Sequence, residues 1–202
     1  MVKMPLNIGV DIDGVIIDFI SEFIKTYHSK YPRYKRLKKE YIRRHSLESV
    51  LGLFEEEVYD LIERTTVYGD FKLIPGADRV LSEFTSEGDN IYICTSRPER
   101  HRLRTIELLD NLDIPRKKLI FKGNGKKLDV ILKEMPHFDI FIEDNLAEAI
   151  HLSKLVSRVL VFRQPWNNNC MNVRGSLKYV NSWDEIRKTV SEYRRDMAPT
   201  LL

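Results

Sequence analysis

From residue 77 onward the sequence alternates short apolar runs with amphipathic stretches, and that rhythm admits few architectures. Residues 77–86 read as a helix closed by Gly88, and Asn90–Cys94 as a strand. Residues 98–111 read as a helix with proline at its first turn. Residues 118–121 read as a strand, and 126–134 as a helix ended by Pro136. Strands at 138–142 and 158–162, an extended piece at 177–180, and helices at 145–155 and 183–194 complete the series. Near the start, Leu6–Asp11 is a further buried strand. Such alternation gives an α/β fold, with a parallel sheet covered by helices on both faces.

Residues 16–74 break the rhythm. Ile16, Ile17, Ile20, Phe23, Ile24 and Tyr27 form a helical stripe through Tyr31, stopped by Pro32. Short helices are expected at 37–44 and 54–64, the second opening on the acidic turn Glu55–Glu57. This segment has no strand-like run, so it reads as a helical insertion. It also holds Lys25, Lys30, Arg33, Lys35, Arg36, Lys38, Lys39, Arg43 and Arg44, while the whole chain carries a net charge of only +3. Such a patch either faces solvent or attracts a phosphorylated substrate or nucleic acid. Lys35, Arg36, Lys38 and Lys39 are expected to steer anionic substrate rather than take part in chemistry.

A length of 202 residues suits one domain with an insertion. With 43% hydrophobic and 31% charged residues, the chain is neither disordered nor collagen-like. Its apolar runs fall short of the roughly 18 residues that cross a bilayer. Met1–Pro5 leads into Leu6–Val10 without a signal-peptide pattern, and two cysteines, Cys94 and Cys170, make no disulfide framework. A reduced, cytoplasmic setting is expected.

In parallel sheets ligands bind at the carboxyl ends of the strands. Here those ends are Asp11-Ile12-Asp13-Gly14, Thr95-Ser96-Arg97, the stretch 122–127 and Glu143-Asp144-Asn145. Gly14 permits a tight turn after the two aspartates. Acids from two adjacent strands repel one another unless a cation lies between them, and oxygen donors suit Mg²⁺. Thr95-Ser96-Arg97 offers hydroxyls and amides ahead of a helix, a seat for phosphate.

These residues resemble the four motifs of the haloacid dehalogenase (HAD) superfamily of phosphohydrolases, in order: Asp11-Ile12-Asp13-Gly14-Val15, Thr95-Ser96, a lysine opening the helix at 126–134, and Phe141-Ile142-Glu143-Asp144-Asn145. Phe71-Lys72-Leu73-Ile74-Pro75-Gly76-Ala77, Ile93-Cys94-Thr95-Ser96-Arg97-Pro98 and Val161-Phe162-Arg163-Gln164-Pro165-Trp166-Asn167 are similar to its 5′(3′)-deoxyribonucleotidase-like branch.

The resemblance implies a Rossmann-like three-layer core, residues 1–15 and 75–202, with a small helical cap, 16–74, inserted after the first strand. It implies Mg²⁺-dependent hydrolysis of a phosphomonoester, foremost a nucleoside monophosphate. Asp11 would be the nucleophile and Asp13 the general acid and base. Mg²⁺ would be held by Asp11, the Asp13 carbonyl and the Glu143-Asp144 pair, in which Asp144 binds directly and Glu143 through water, or the reverse. Thr95 and the amide after it would hold phosphate oxygens, with Gly14, Ser96 and Arg97 as phosphate-binding residues. Lys127 is the favoured phosphate lysine, ahead of Lys126 and then Lys122.

The alternatives are a sugar or small-metabolite phosphatase, a polynucleotide-end phosphatase using the basic segment, and a non-catalytic binding module on the same scaffold. Crowded carboxylates serve a pure binder poorly. His28, His45, His101, His137 and His151 lack ligand spacing and read as structural. Cys94 reads as a buried strand residue, and Phe19, Phe23 and Tyr27 as core packing ahead of base stacking. Trp166 reads as a loop anchor.

Overall fold

A computed structural model of the chain describes residues 4–34, 36–123, 129–130, 133, 137–168 and 175–197. Six parallel strands form one sheet in the order β3-β2-β1-β4-β5-β6. They are β1 (Asn7–Val10), β2 (Asn90–Thr95), β3 (Lys118–Phe121), β4 (Ile140–Glu143), β5 (Arg158–Phe162) and β6 (Leu177–Val180). The helices are α1 (Phe19–Lys30), α2 (Leu47–Leu51), α3 (Glu55–Tyr68), α4 (Ala77–Ser86), α5 (Arg102–Asn111), α6 (Leu146–Leu152) and α7 (Trp183–Met197). The helix expected at 126–134 lies largely outside the described residues. Among the described residues no helix is long and apolar enough to cross a membrane.

Alternate residues of each strand feed two apolar layers, as a sheet covered on both faces requires. Ile8, Val10, Ile91, Ile93, Ile140, Ile142 and Leu160 pack with α4 and α7 around Trp183. Tyr92, Cys94, Phe141, Val159 and Val161 pack on the other face with Ala149 and Leu152 of α6. Gly9 of β1 lies against the Phe141 ring, where an added Cβ would come within 2.2 Å of a ring carbon. Gly9→Ala is therefore expected to cost about 1–3 kcal/mol of stability through overpacking, read from urea unfolding.

Strand β1 occupies the sheet's interior, between β2 and β4. Buried carboxylates fix its entry: Asp89 accepts from the Leu6 amide at 2.9 Å and Asp139 from the Asn7 amide at 2.7 Å. At its exit the chain turns sharply. The Ile12 carbonyl accepts from the amides of Ile16 and Ile17 at 2.9 and 3.1 Å, and Gly14 adopts φ +86°.

The helix expected from Ile16 thus begins only at Phe19, with Asp18 as its N-cap. Ile16 and Ile17 are fully buried because this loop faces the main core, which gives them an apolar rhythm without helical backbone. The helix expected at 37–44 is a single 3-10 turn, Lys39–Tyr41, none of whose residues is buried. The turn itself buries nothing, so packing does not extend it into a helix, and Ile42 just after it enters the apolar cluster.

Helices α1 and α3 and the segment between them enclose a separate apolar cluster, which includes Phe23, Tyr27, Ile42, Leu47, Val58 and Leu61. The chain leaves and re-enters the sheet side by side. The Asp18 amide donates to the Lys72 carbonyl at 2.9 Å, and the Ile74 amide to the Ile16 carbonyl at 2.8 Å. Burial would raise the Asp18 carboxyl, but the Lys39 ammonium at 2.8 Å and the Ser21 hydroxyl hold it below its usual range.

Candidate active site

The carboxyl ends of β1, β2, β3 and β4 open onto one cavity of about 440 Å³. Its floor carries Asp11, Asp13, Gly14, Ser96, Arg97, Lys122, Glu143 and Asp144. Its upper wall comes from the inserted helices and includes Ile20, Ile42, Leu47, Ile62 and Thr66, with Arg44 and His45 among them. The volume is that of a small-molecule site.

Three of the expected acids converge. Asp11 follows β1, Glu143 ends β4 and Asp144 follows it. All three are buried, and one carboxylate oxygen from each lies within 4.8 Å of the others. The Asp11 amide donates to the Ile142 carbonyl at 3.0 Å, which ties the two strand ends together. Three buried anions at this spacing are strongly disfavoured without a compensating cation. The donor set is all oxygen, with no cysteine or histidine in it, and so fits a hard divalent ion. Glu143 Oε1 also accepts from the Asn145 amide at 3.1 Å, so one of its oxygens is already oriented by the start of α6.

Asp13 stands apart from that trio. Both its oxygens accept from Arg97, at 2.9 Å from Nε and 2.8 Å from Nη2. Burial would lower the Arg97 guanidinium, but the Asp13 carboxylate beside it, with Asp11 adding to the field, raises it above its ordinary value. Thr95 is buried at the end of β2, and its Oγ1 accepts from the Arg97 amide at 3.1 Å. A hydroxyl that accepts once can still donate its proton. Ser96 is exposed and lines the cavity.

The turn at Gly14 is compact for a reason. A Cβ there would meet Asp144 Oδ2 at 2.4 Å, and the Gly14 carbonyl accepts from Gln164 Nε2 at 2.7 Å. Lys122 reaches the cavity from the end of β3, with Nζ 3.0 Å from Glu148 Oε1. Lys126 and Lys127 lie outside the described residues. Of the basic segment, Arg44 lines the cavity, and Lys39 pairs with Asp18. Arg36 and Lys38 are exposed and do not line it, and Lys35 lies outside the described residues.

Three further residues, none of them expected to take part in the site, reach it: Trp166, Asn167 and His45. Trp166, which reads as a loop anchor, lines the cavity and donates from Nε1 to Asp144 Oδ2 at 2.9 Å. Asn167 Nδ2 donates to the Asp144 carbonyl at 2.7 Å, so the loop after β5 grips this residue twice. His45, which reads as structural, reaches across the cavity to Asn145, with Nε2 and Nδ2 3.2 Å apart. Outer-shell bonds of the Trp166 kind orient a ligand. Trp166→Phe is expected to weaken Mn²⁺ binding roughly 10-fold while leaving the fold intact, measured by calorimetry.

A second bridge joins the inserted helices to the floor. Glu63 of α3 accepts from Arg100 and lies 2.9 Å from His101 Nε2, just beyond the Thr95-Ser96-Arg97 segment. Burial would raise its carboxyl, but these two partners keep it below its usual range.

Residues 4–195 match the family model described as 5′ nucleotidase, deoxy (pyrimidine), cytosolic type C protein. A nucleotidase of Clostridium acetobutylicum is 28% identical over 189 residues, covering 90% of this chain and 91% of that one. Among solved structures, a haloacid dehalogenase-like family hydrolase of Streptococcus pneumoniae superposes with a TM-score of 0.67 at 17% identity. That match covers 94% of this chain and 98% of that one. The L-2-haloacid dehalogenase of Xanthobacter autotrophicus gives a TM-score of 0.64 at 13% identity, over 96% of this chain and 100% of that one. At those identities the two structures share the fold.

Proposed function

Starting from a chain that belongs to the 5′ nucleotidase, deoxy (pyrimidine), cytosolic type C protein family, and is thus a HAD-like phosphatase, we propose that it hydrolyses nucleoside monophosphates with Mg²⁺ through an aspartyl-phosphate. The observation that carries this reading is the buried trio Asp11, Glu143 and Asp144, closed to within 4.8 Å on the floor of a cavity that also holds Asp13, Ser96 and Lys122.

Asp11 Oδ attacks phosphorus and the P–O ester bond breaks. Asp13 gives its proton to the departing alcohol oxygen and then takes one from the water that cleaves the acyl phosphate. Thr95 and Ser96 donate to phosphate oxygens, with a lysine neutralising a further one. Lys127, Lys126 and Lys122 are the candidates for it, and Lys122 has the support of its place on the cavity floor. Asp11, the Asp13 carbonyl, Asp144 and Glu143 would hold Mg²⁺, which when bound offsets the charge between the anionic nucleophile and the anionic phosphate. Residues 16–74 act as a cap over a core formed by 1–15 and 75–202, and its apolar wall receives the leaving group. The family's description as cytosolic supports a cytoplasmic setting.

The test is a screen of p-nitrophenyl phosphate, nucleoside monophosphates, sugar phosphates and a phosphorylated oligonucleotide, with Mg²⁺ and with chelator. Metal-dependent turnover that is fastest on deoxynucleoside monophosphates is the expected result. Fastest turnover of sugar phosphates, or of the oligonucleotide, would replace the substrate assignment. No metal-dependent turnover of p-nitrophenyl phosphate or of any other member would overturn the enzymatic reading.

A further inference from the structure

Arg97 is built into this site more firmly than a phosphate contact requires. Its side chain is 3% exposed. The fork formed by Nε and Nη2 occupies both oxygens of Asp13. The guanidinium carbon lies 5.2 Å from the centroid of the Phe71 ring, and Phe71 stacks on Phe19 with centroids 5.7 Å apart. Nη1 is buried without a hydrogen-bond partner, so the group is not placed to satisfy all its own donors. The end of β2, the turn after β1 and the chain returning from the inserted helices all meet on this one side chain. A buried cation is costly where an apolar residue of similar size would pack, so stability alone does not account for it.

We propose that Arg97 is a positioning residue for proton transfer by Asp13, fixing the carboxyl so that it faces the leaving-group oxygen. The proposal rests on the reading of Asp13 as general acid and base. Asp13 sits on a turn and its side chain is 30% exposed. Left alone, such a side chain samples several rotamers, and proton transfer tolerates little misplacement. A planar guanidinium clamped against an aromatic ring fixes both oxygens at once, which an ammonium on a flexible stem does not. In the proton-bearing form one oxygen leaves the fork and the other stays held, so the carboxyl turns about a fixed point. The proton passes from Asp13 to the leaving oxygen as the P–O bond breaks, and no further reactant is needed.

The experiment compares phenyl phosphate with p-nitrophenyl phosphate, which are close in shape but differ in leaving group. Phenolate is the more basic and needs the proton, whereas p-nitrophenolate leaves nearly unaided. Arg97→Met and Asp13→Asn are each expected to lower kcat/KM for phenyl phosphate about 30-fold and for p-nitrophenyl phosphate less than about threefold. Arg97→Lys keeps the charge without the fork and is expected to show the same selectivity. It also stands in for Arg97→Met should that variant not fold. A purely structural role lowers both substrates alike. Equal losses in the Arg97 variants, or a wild-type ratio in Arg97→Lys, overturn the proposal. If Asp13→Asn itself shows equal losses, the acid assignment fails. If Asp13→Asn is selective and the Arg97 variants are not, only the positioning role of Arg97 fails.

Discussion

Asp11→Asn is expected to abolish turnover, by at least about 1000-fold in kcat, while the protein folds normally. The amide keeps the shape of the carboxylate but cannot attack phosphorus as an anion, so an interaction required in every transition state is gone. The same change removes one of three buried acids that lie within 4.8 Å of one another. Their mutual repulsion then falls, so the thermal midpoint measured in chelator is expected to rise above that of wild type. Steady-state assays and paired melting curves with and without Mg²⁺ check both parts. Residual activity above about one per cent of wild type would contradict the nucleophile assignment, since a hundredfold loss amounts to less than about 3 kcal/mol of transition-state stabilisation.

Asp144→Asn is expected to have an effect of similar size by another route. Asp144 is buried, its Oδ2 is held by Trp166 and its carbonyl by Asn167. With the side chain so constrained, the amide cannot swing to a better donor geometry. Mn²⁺ affinity, followed by calorimetry, should fall by more than the roughly 100-fold that outer-shell changes reach, if Asp144 is the direct ligand proposed for it. Activity at fixed Mg²⁺ should fall with it and return in part at high Mg²⁺. Unchanged Mn²⁺ affinity would instead place Glu143 as the direct ligand of the pair.

The parts of the fold that sequence conveys are those settled by local pattern. Strands β3, β5 and β6 lie at the residues where their apolar runs place them, and α4 matches its stripe at both ends. The acids were legible for the same reason: a carboxylate directly after an apolar strand of a parallel sheet has one destination. What local pattern misreads is apolar rhythm without helical backbone, as at Ile16 and Ile17. What it does not reach is partnership over distance. Arg97 meets Asp13 across 84 residues, Trp166 meets Asp144 across 22, and His45 meets Asn145 across 100. No spacing rule links such pairs. They exist because the sheet order brings separate strand ends together and because the inserted segment folds back over them.

The hydrogen-bonded neck where residues 16–18 run beside 72–74 has a consequence for how such a chain can change over time. An excursion pinned at its base, with an apolar cluster of its own, is connected to the sheet much as a plug-in part is connected to a socket. Its length is nearly free to vary, since doubling a closed loop costs only about 0.6 kcal/mol in closure entropy. Insertions, deletions and wholesale exchange of residues 19–71 can therefore reshape what the cavity admits. The strand ends that carry the acids need not move when that segment changes.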